Sequence, residues 1–223
     1  MHRSLAETAR AALTAECAPD ADGRAAVPVP RLEGAATTAV VADTCVRGDL
    51  GFVLLLHRRK DGLVAEELFF ARREDTGDWG IAEHLSGSAG IVDLTSPEEA
   101  AAALRGWSMT LLGDSWTSLH TGRPQADEGY ELLRFHVLLV HENIGHLEIE
   151  DASAGVGPAF GRLRKPLMSQ VALLALFPEE TVTVRTGADT GTGARSLGEL
   201  FELTGSGAVS PAHPGLRGPA DPP

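Results

Sequence analysis

A chain of 223 residues is long enough for one large domain or two small ones, and 43% apolar with 22% charged residues suits a folded globular protein. Lysine and arginine number 19 against 31 acidic residues. The resulting net charge of −12 disfavours nucleic acid and anionic lipid as partners, because phosphates are repelled at long range.

Ser4-Leu-Ala-Glu7 has capping-box spacing and predicts an alanine-rich helix running to about Cys17. Its apolar face is thin, so weak docking is expected. The segment MHRSLAETARAALTAECA has spread charges and no apolar run, so no signal peptide is read. No stretch reaches the roughly 20 apolar residues of a membrane span. Asp20–Pro30 reads as a linker.

From about Thr37 the texture turns to β. Thr38–Val46, Leu50–Lys60, Leu63–Arg73 and Trp79–Leu85 read as strands with short connections, the pattern of an antiparallel meander. Asp61-Gly62 is a strong turn signal. As a two-residue turn it would pair Leu55 with Leu68, Val53 with Phe70 and His57 with Glu66. Ser86–Gly90 has the glycines of an anion-cradling loop but not the Gly-Lys-Ser/Thr ending, and is read as a flexible connection.

Ser96-Pro97-Glu98-Glu99 opens a helix with Ser at N-cap, Pro at N1 and Glu at N3, and Gly106 stops it. Trp107–Leu112 and Ser115–His120 are read as a strand pair across Gly113-Asp114, and Thr121–Gly129 as a loop. Glu131–His141 and His146–Glu150 read as a hairpin over Glu142–Gly145. Asp151–Leu163 is expected to be a loop, and Ser169–Phe177 and Thr181–Arg185 strands. Ser196-Leu-Gly-Glu199 repeats the capping-box spacing and predicts a short helix bearing Leu197, Leu200 and Phe201. Gly205–Pro223 is expected to be a disordered Gly/Pro-rich tail.

Three patterns bear on chemistry. Gly113-Asp114-Ser115-Trp116, after the apolar run Met109–Leu112, resembles the nucleophile block of GDSL-type esterases. The resemblance covers four residues. It implies Ser115 as a nucleophile, served by a base from a late Asp-x-x-His. The late histidine here stands in Ser210-Pro-Ala-His213, without that Asp. His141-Glu-Asn-Ile-Gly-His146 has its histidines five apart, one too many for the zinc-protease helix motif. A four-residue turn would instead set His141 opposite His146, with Glu148 on the same face, as a possible divalent-cation set. The two cysteines, Cys17 and Cys45, cannot build an all-cysteine zinc site. Finally, His57-Arg-Arg-Lys60 and Arg72-Arg73 fall at opposite ends of one hairpin, diluted by acidic neighbours, and form no nucleic-acid patch.

The expected fold is α+β, mainly antiparallel β: an N-terminal helix, a β-meander, a middle helix and a second β region of sandwich-like texture. Residues 1–35 would be helix and linker. Residues 36–188 would be the β core, with 36–106 and 107–188 as candidate subdomains. Residues 189–223 would be linker, short helix and tail. Composition rich in Arg, Ala and Gly suggests a GC-rich bacterial source, and the reduced cysteines a cytoplasmic setting. No catalytic, metal or cofactor set is complete, so the expected function is a non-enzymatic module binding a protein or small molecule. The alternative is a hydrolase or metal-dependent enzyme using Ser115 or the His141/His146/Glu148 cluster.

Overall fold

The computed structural model describes residues 4–16, 39–90, 92–93, 96–153, 162–167, 169–187 and 200–206. Helix α1 (Leu5–Glu16) is followed by strands β1 (Val40–Arg47), β2 (Leu50–Arg58), β3 (Val64–Arg72) and β4 (Glu83–Ala89). Helix α2 (Pro97–Leu104) then leads to β5 (Met109–His120), β6 (Tyr130–Val140), β7 (His146–Asp151), β8 (Arg162–Pro166), β9 (Val171–Leu176), β10 (Thr181–Gly187) and β11 (Leu200–Thr204). The strands form three sheets, in the orders β1-β2-β3-β4, β5-β6-β9 and β11-β10-β7-β8, with antiparallel ladders throughout. The fold is therefore α+β and mainly antiparallel β. Among the described residues no helix is long and apolar enough to cross a membrane.

The sheets stack because alternate side chains leave each strand on opposite faces. One face of the β1–β4 sheet packs Phe52, Leu54, Leu68 and Phe70 against Leu133, Phe135, Leu173 and Ala175 of the β5-β6-β9 sheet. The other face of that middle sheet packs Leu138, Val140, Leu174 and Leu176 against Leu147, Ile149, Val182 and Val184 of the third. Helix α1 closes the remaining face of the first sheet, over Val53, Leu55, Phe69 and Trp79.

Both helices begin as their caps predict. Ser4 N donates to Glu7 Oε2 at 2.8 Å and Glu7 N to Ser4 Oγ at 3.2 Å, a reciprocal capping box. Glu99 N donates to Ser96 Oγ at 3.3 Å, with Pro97 at the first helical position. Docking of α1 is firmer than its alanine face suggests. Ala9 and Leu13 are wholly buried, and Trp79 Nε1 donates to Leu13 O at 3.1 Å. Gly51 permits this close approach, since a Cβ there would meet Leu13 and Trp79 carbons at 2.8 Å.

The β2–β3 hairpin is shifted by one residue from the two-residue-turn register. Leu54 pairs with Leu68, Phe52 with Phe70, Leu55 with Glu67 and His57 with Ala65. Gly62 N donates to Arg59 O at 3.0 Å, and Arg59 N to Leu63 O at 2.8 Å. The closure is thus a three-residue loop with Gly62 at φ +86°, the turn-plus-bulge alternative to a type I′ turn. A Cβ at Gly62 has no neighbour within 4 Å, so substitution strains the backbone alone. Gly62→Val is expected to cost about 1–2 kcal/mol in chemical denaturation. An unchanged midpoint would rule out the left-handed glycine.

Other expectations fail for tertiary reasons. Residues Met109–His120 form one strand: Gly113 and Asp114, where a turn was expected, pair with Val137 and His136, and the irregularity in the ladder falls just before them, between Leu111 and Gly113. Ser86–Ala89 belong to β4, paired with β3, and are no free loop. Strands β6 and β7 do not pair: β6 lies between β5 and β9, and β7 between β10 and β8. Leu200–Thr204 is a strand paired with β10, burying Leu203, not part of a helix. The expected linker at 20–30, the helix start at Ser196–Glu199 and the tail beyond Ser206 lie outside the described residues.

Candidate functional site

The two sequence-derived catalytic readings meet different obstacles. Ser115 sits mid-strand in β5 opposite Phe135, and alternation turns it to the face where Phe135 joins the core. Asp114 faces the other way, opposite His136. His136 Nδ1 lies 3.8 Å from Asp114 Oδ1 and makes no hydrogen bond to it, so the Asp–His hydrogen bond that orients the base of a serine triad is not formed. Its far nitrogen, Nε2, is 3.2 Å from Thr204 O, and Ser115 is on the opposite face. The esterase-like constellation is therefore not assembled.

The His141/His146/Glu148 reading fails with its hairpin. His141 N donates to Ser108 O at 2.9 Å, while its Nδ1 accepts from Asn143 N at 3.2 Å. His146 opens β7 in another sheet, paired with Gly187 and Pro166, and its Nδ1 accepts from Arg164 Nη2 at 3.2 Å. Glu148 pairs with Arg185 and Arg164 in the ladders. The cross-strand geometry on which the cation set depended is absent. Among the described residues no cluster of three or more His, Cys, Asp or Glu is placed to hold a metal ion.

Three polar groupings escaped sequence reasoning, because each joins residues distant in the chain. Asp114 receives Arg134 Nε at 2.7 Å and Arg134 Nη2 on its second oxygen, a bidentate pair. Arg134 thereby holds the Asp114 carboxyl below its ordinary range, while burial pushes the His136 imidazole down. Glu67 bridges His57 Nε2 at 3.3 Å and His84 Nε2 at 2.7 Å on the α1-side face of the first sheet. Asp43, fully buried, receives Leu173 N at 2.6 Å and Lys165 Nζ at 3.0 Å. Lys165 Nζ also donates to Thr44 O at 2.7 Å. The first and third of these tie elements together. Arg134 Nη1 donates to Ser206 O at 3.2 Å, and Asp43 joins β1, β8 and β9.

The most unusual surface lies beside the Asp114–Arg134 pair. Trp116, Ser118 and His120 of β5 share one sheet face with Arg134, Leu132 and Tyr130 of β6, matched in that order across the ladder, and all but the buried Arg134 are exposed. Trp116 is 65% exposed, Tyr130 55% and Leu132 50%, whereas Trp79 is 2% exposed. His120 and Tyr130 meet edge to face at 5.0 Å between centroids. Further along the same ribbon, Leu138 and Val140 are covered by the third sheet. Beyond Arg134, which reaches Ser206 O, the side chains of Trp116, Leu132 and Tyr130 on this ribbon face are exposed. Beyond its place in the Gly113–Trp116 pattern, nothing in the sequence sets Trp116 apart from the buried Trp79; its exposure depends on the tertiary packing.

No family model, curated protein or solved structure matches the chain.

Proposed function

We propose that this protein is a non-enzymatic binding module that takes an extended, proline-containing peptide on the outer face of the β5–β6 ribbon. The observation that carries this reading is the exposure of Trp116, Leu132 and Tyr130 side by side on one sheet face. Contiguous exposed apolar surface on a folded protein marks contact sites. Trp and Tyr supply large, rigid contact area with a polar end for hydrogen bonding. A polyproline helix loses little entropy on docking and presents flat rings that pack on aromatic faces. The face carries little net charge, because Asp114 pairs Arg134, and the whole chain at −12 repels phosphate-bearing ligands.

The test is an NMR titration of the isotopically labelled protein with a synthetic polyproline peptide. Shifts are expected at the Trp116 indole N–H and at Tyr130. Trp116→Ala is expected to weaken the affinity about tenfold, with little change in melting temperature because the ring is mostly exposed. Saturating peptide that moves no resonance on this face, or moves only the surroundings of Trp107, would refute the reading.

A further inference from the structure

We infer that the outer edge of β5 pairs two copies of this chain, antiparallel about Thr117, into one continuous sheet. The inference stands on the strand edge and not on the peptide reading of the aromatic face. β5 ends the β5-β6-β9 sheet. Thr121 N donates to Gly129 O at 2.7 Å, in line with the β5–β6 ladder, so from Gly113 onward the odd-numbered residues of β5 bond toward β6. The backbone N–H and C=O groups of Asp114, Trp116, Ser118 and His120 therefore point outward. Among the described residues nothing bonds to those of Trp116 and Ser118, while His120 O accepts from Arg72 Nη2.

The other strand edges of the fold are blunted or sealed. β8 is five residues long, carries Arg162, Arg164 and Lys165, and ends at Pro166. β11 is equally short and bears Glu202. β4 contains Gly87 and breaks register against β3 between Leu68 and Phe69. β1 and β9 lie edge to edge and satisfy one another through side chains. Asp43 Oδ2 accepts from Leu173 N at 2.6 Å, Ser169 Oγ donates to Ala42 O at 2.8 Å, and Arg47 Nη1 donates to Ala175 O at 2.8 Å. Asp114–His120 has none of these devices. It contains no lysine, arginine, proline or glycine, and the irregularity in the ladder lies before it.

This stretch is complementary to itself. Thr117 is its midpoint, and pairing about that residue sets Trp116 opposite Ser118 and Asp114 opposite His120, once on each side of the two-fold axis. The outward groups of Trp116 and Ser118 then bond to one another, and each Asp114 carboxylate meets an imidazole. The neighbouring registers, centred on Trp116 or Ser118, put Asp114 opposite Ser118 or Gly122 and lose that match. The pairing keeps Trp116, Leu132 and Tyr130 of both copies on one side of the joined sheet, with the two indoles as diagonal neighbours. Two copies at −12 repel one another, so pairing strengthens as salt rises through about 0.15 M.

Sedimentation equilibrium of the full chain at about 0.15 M salt is expected to give the mass of two chains by about 100 μM protein. Ser118→Pro removes an outward N–H that the β5–β6 ladder does not use. The variant is expected to keep its melting temperature and to pair about tenfold more weakly or worse. Should Ser118→Pro disturb the strand itself, Thr117→Cys reads the same contact. Across the axis the two Cα atoms would sit about 4.5 Å apart, close enough for a disulfide. Thr117→Cys is expected to cross-link two chains in oxidised glutathione. Ser115→Cys, whose counterpart is displaced along the strand, and the parent chain are expected not to. A monomer at every concentration, a dimer that folded Ser118→Pro leaves intact, or equal cross-linking at Ser115 and Thr117 would overturn the inference.

Discussion

Replacing Lys165 by Met is expected to destabilise the protein by about 3–5 kcal/mol near neutral pH, the range seen when a buried ion pair loses one partner. Asp43 lies at a break in the β1–β2 register between Val41 and Asp43. Such an irregularity re-aims a side chain, here into the seam where β1 meets β9. The carboxylate stands in for a strand carbonyl there, accepting from Leu173 N at 2.6 Å. Burial pushes the Asp43 carboxyl above its ordinary range, and the Lys165 charge opposes that rise. Without Lys165 the carboxylate is left charged, buried and uncompensated. The pH dependence follows in sign. A carboxyl whose folded pKa lies above its unfolded value of about 3.9 binds more protons in the folded state between the two values. Its penalty is therefore greatest above the folded pKa and relaxes as pH falls. Denaturant titrations of Lys165→Met and the parent chain at neutral and mildly acid pH should show the gap narrowing on acidification. A loss below about 1 kcal/mol would mean that the pair is not buried as described. An apolar double replacement, Asp43→Leu with Lys165→Met, removes both charges but also the groups bonded to Leu173 N and Thr44 O, so it should recover only part of the loss.

Phe135→Ala is expected to cost a similar amount, about 3–5 kcal/mol. Phe135 on β6 meets Phe52 on β2 edge to face, with centroids 5.0 Å apart, and Phe52 meets Phe70 of β3 at 5.6 Å. These rings belong to two different sheets, so the cluster is where the β1–β4 sheet and the β5-β6-β9 sheet grip one another. Phe135 and Phe52 are wholly buried, and truncation leaves a cavity that two hydrogen-bonded sheets cannot collapse to fill. Phe135→Leu should cost markedly less, because most of the volume is kept. Chemical denaturation measures both. If Phe135→Ala loses less than about 1 kcal/mol, the two sheets do not pack through this residue.

What the sequence determined by itself was local. The caps at Ser4 and Ser96 and the apolar runs of β2, β3 and β10 were readable because each rests on residues within about four positions of one another. Helix α2, by contrast, stops one residue earlier than Gly106 implies, with Arg105 taking the left-handed cap. The hairpin was readable but its register was not. Gly62 serves either a two-residue or a three-residue closure, and the choice moves every partner by one. Leu200–Thr204 has an apolar spacing that a short helix also satisfies, and only pairing with β10 decides for a strand. The turn between β6 and β7 looks like a hairpin loop in sequence, yet the chain crosses there from one sheet to another. No local rule separates those outcomes, because the choice depends on which faces are already apolar elsewhere in the fold. The Asp43–Lys165 pair, the Asp114–Arg134–His136 grouping and the exposure of Trp116 share that origin. Trp116 is an ordinary packing residue by composition. Its exposure follows from the fold around it, which long-range strand pairing decides and neighbouring residues do not encode.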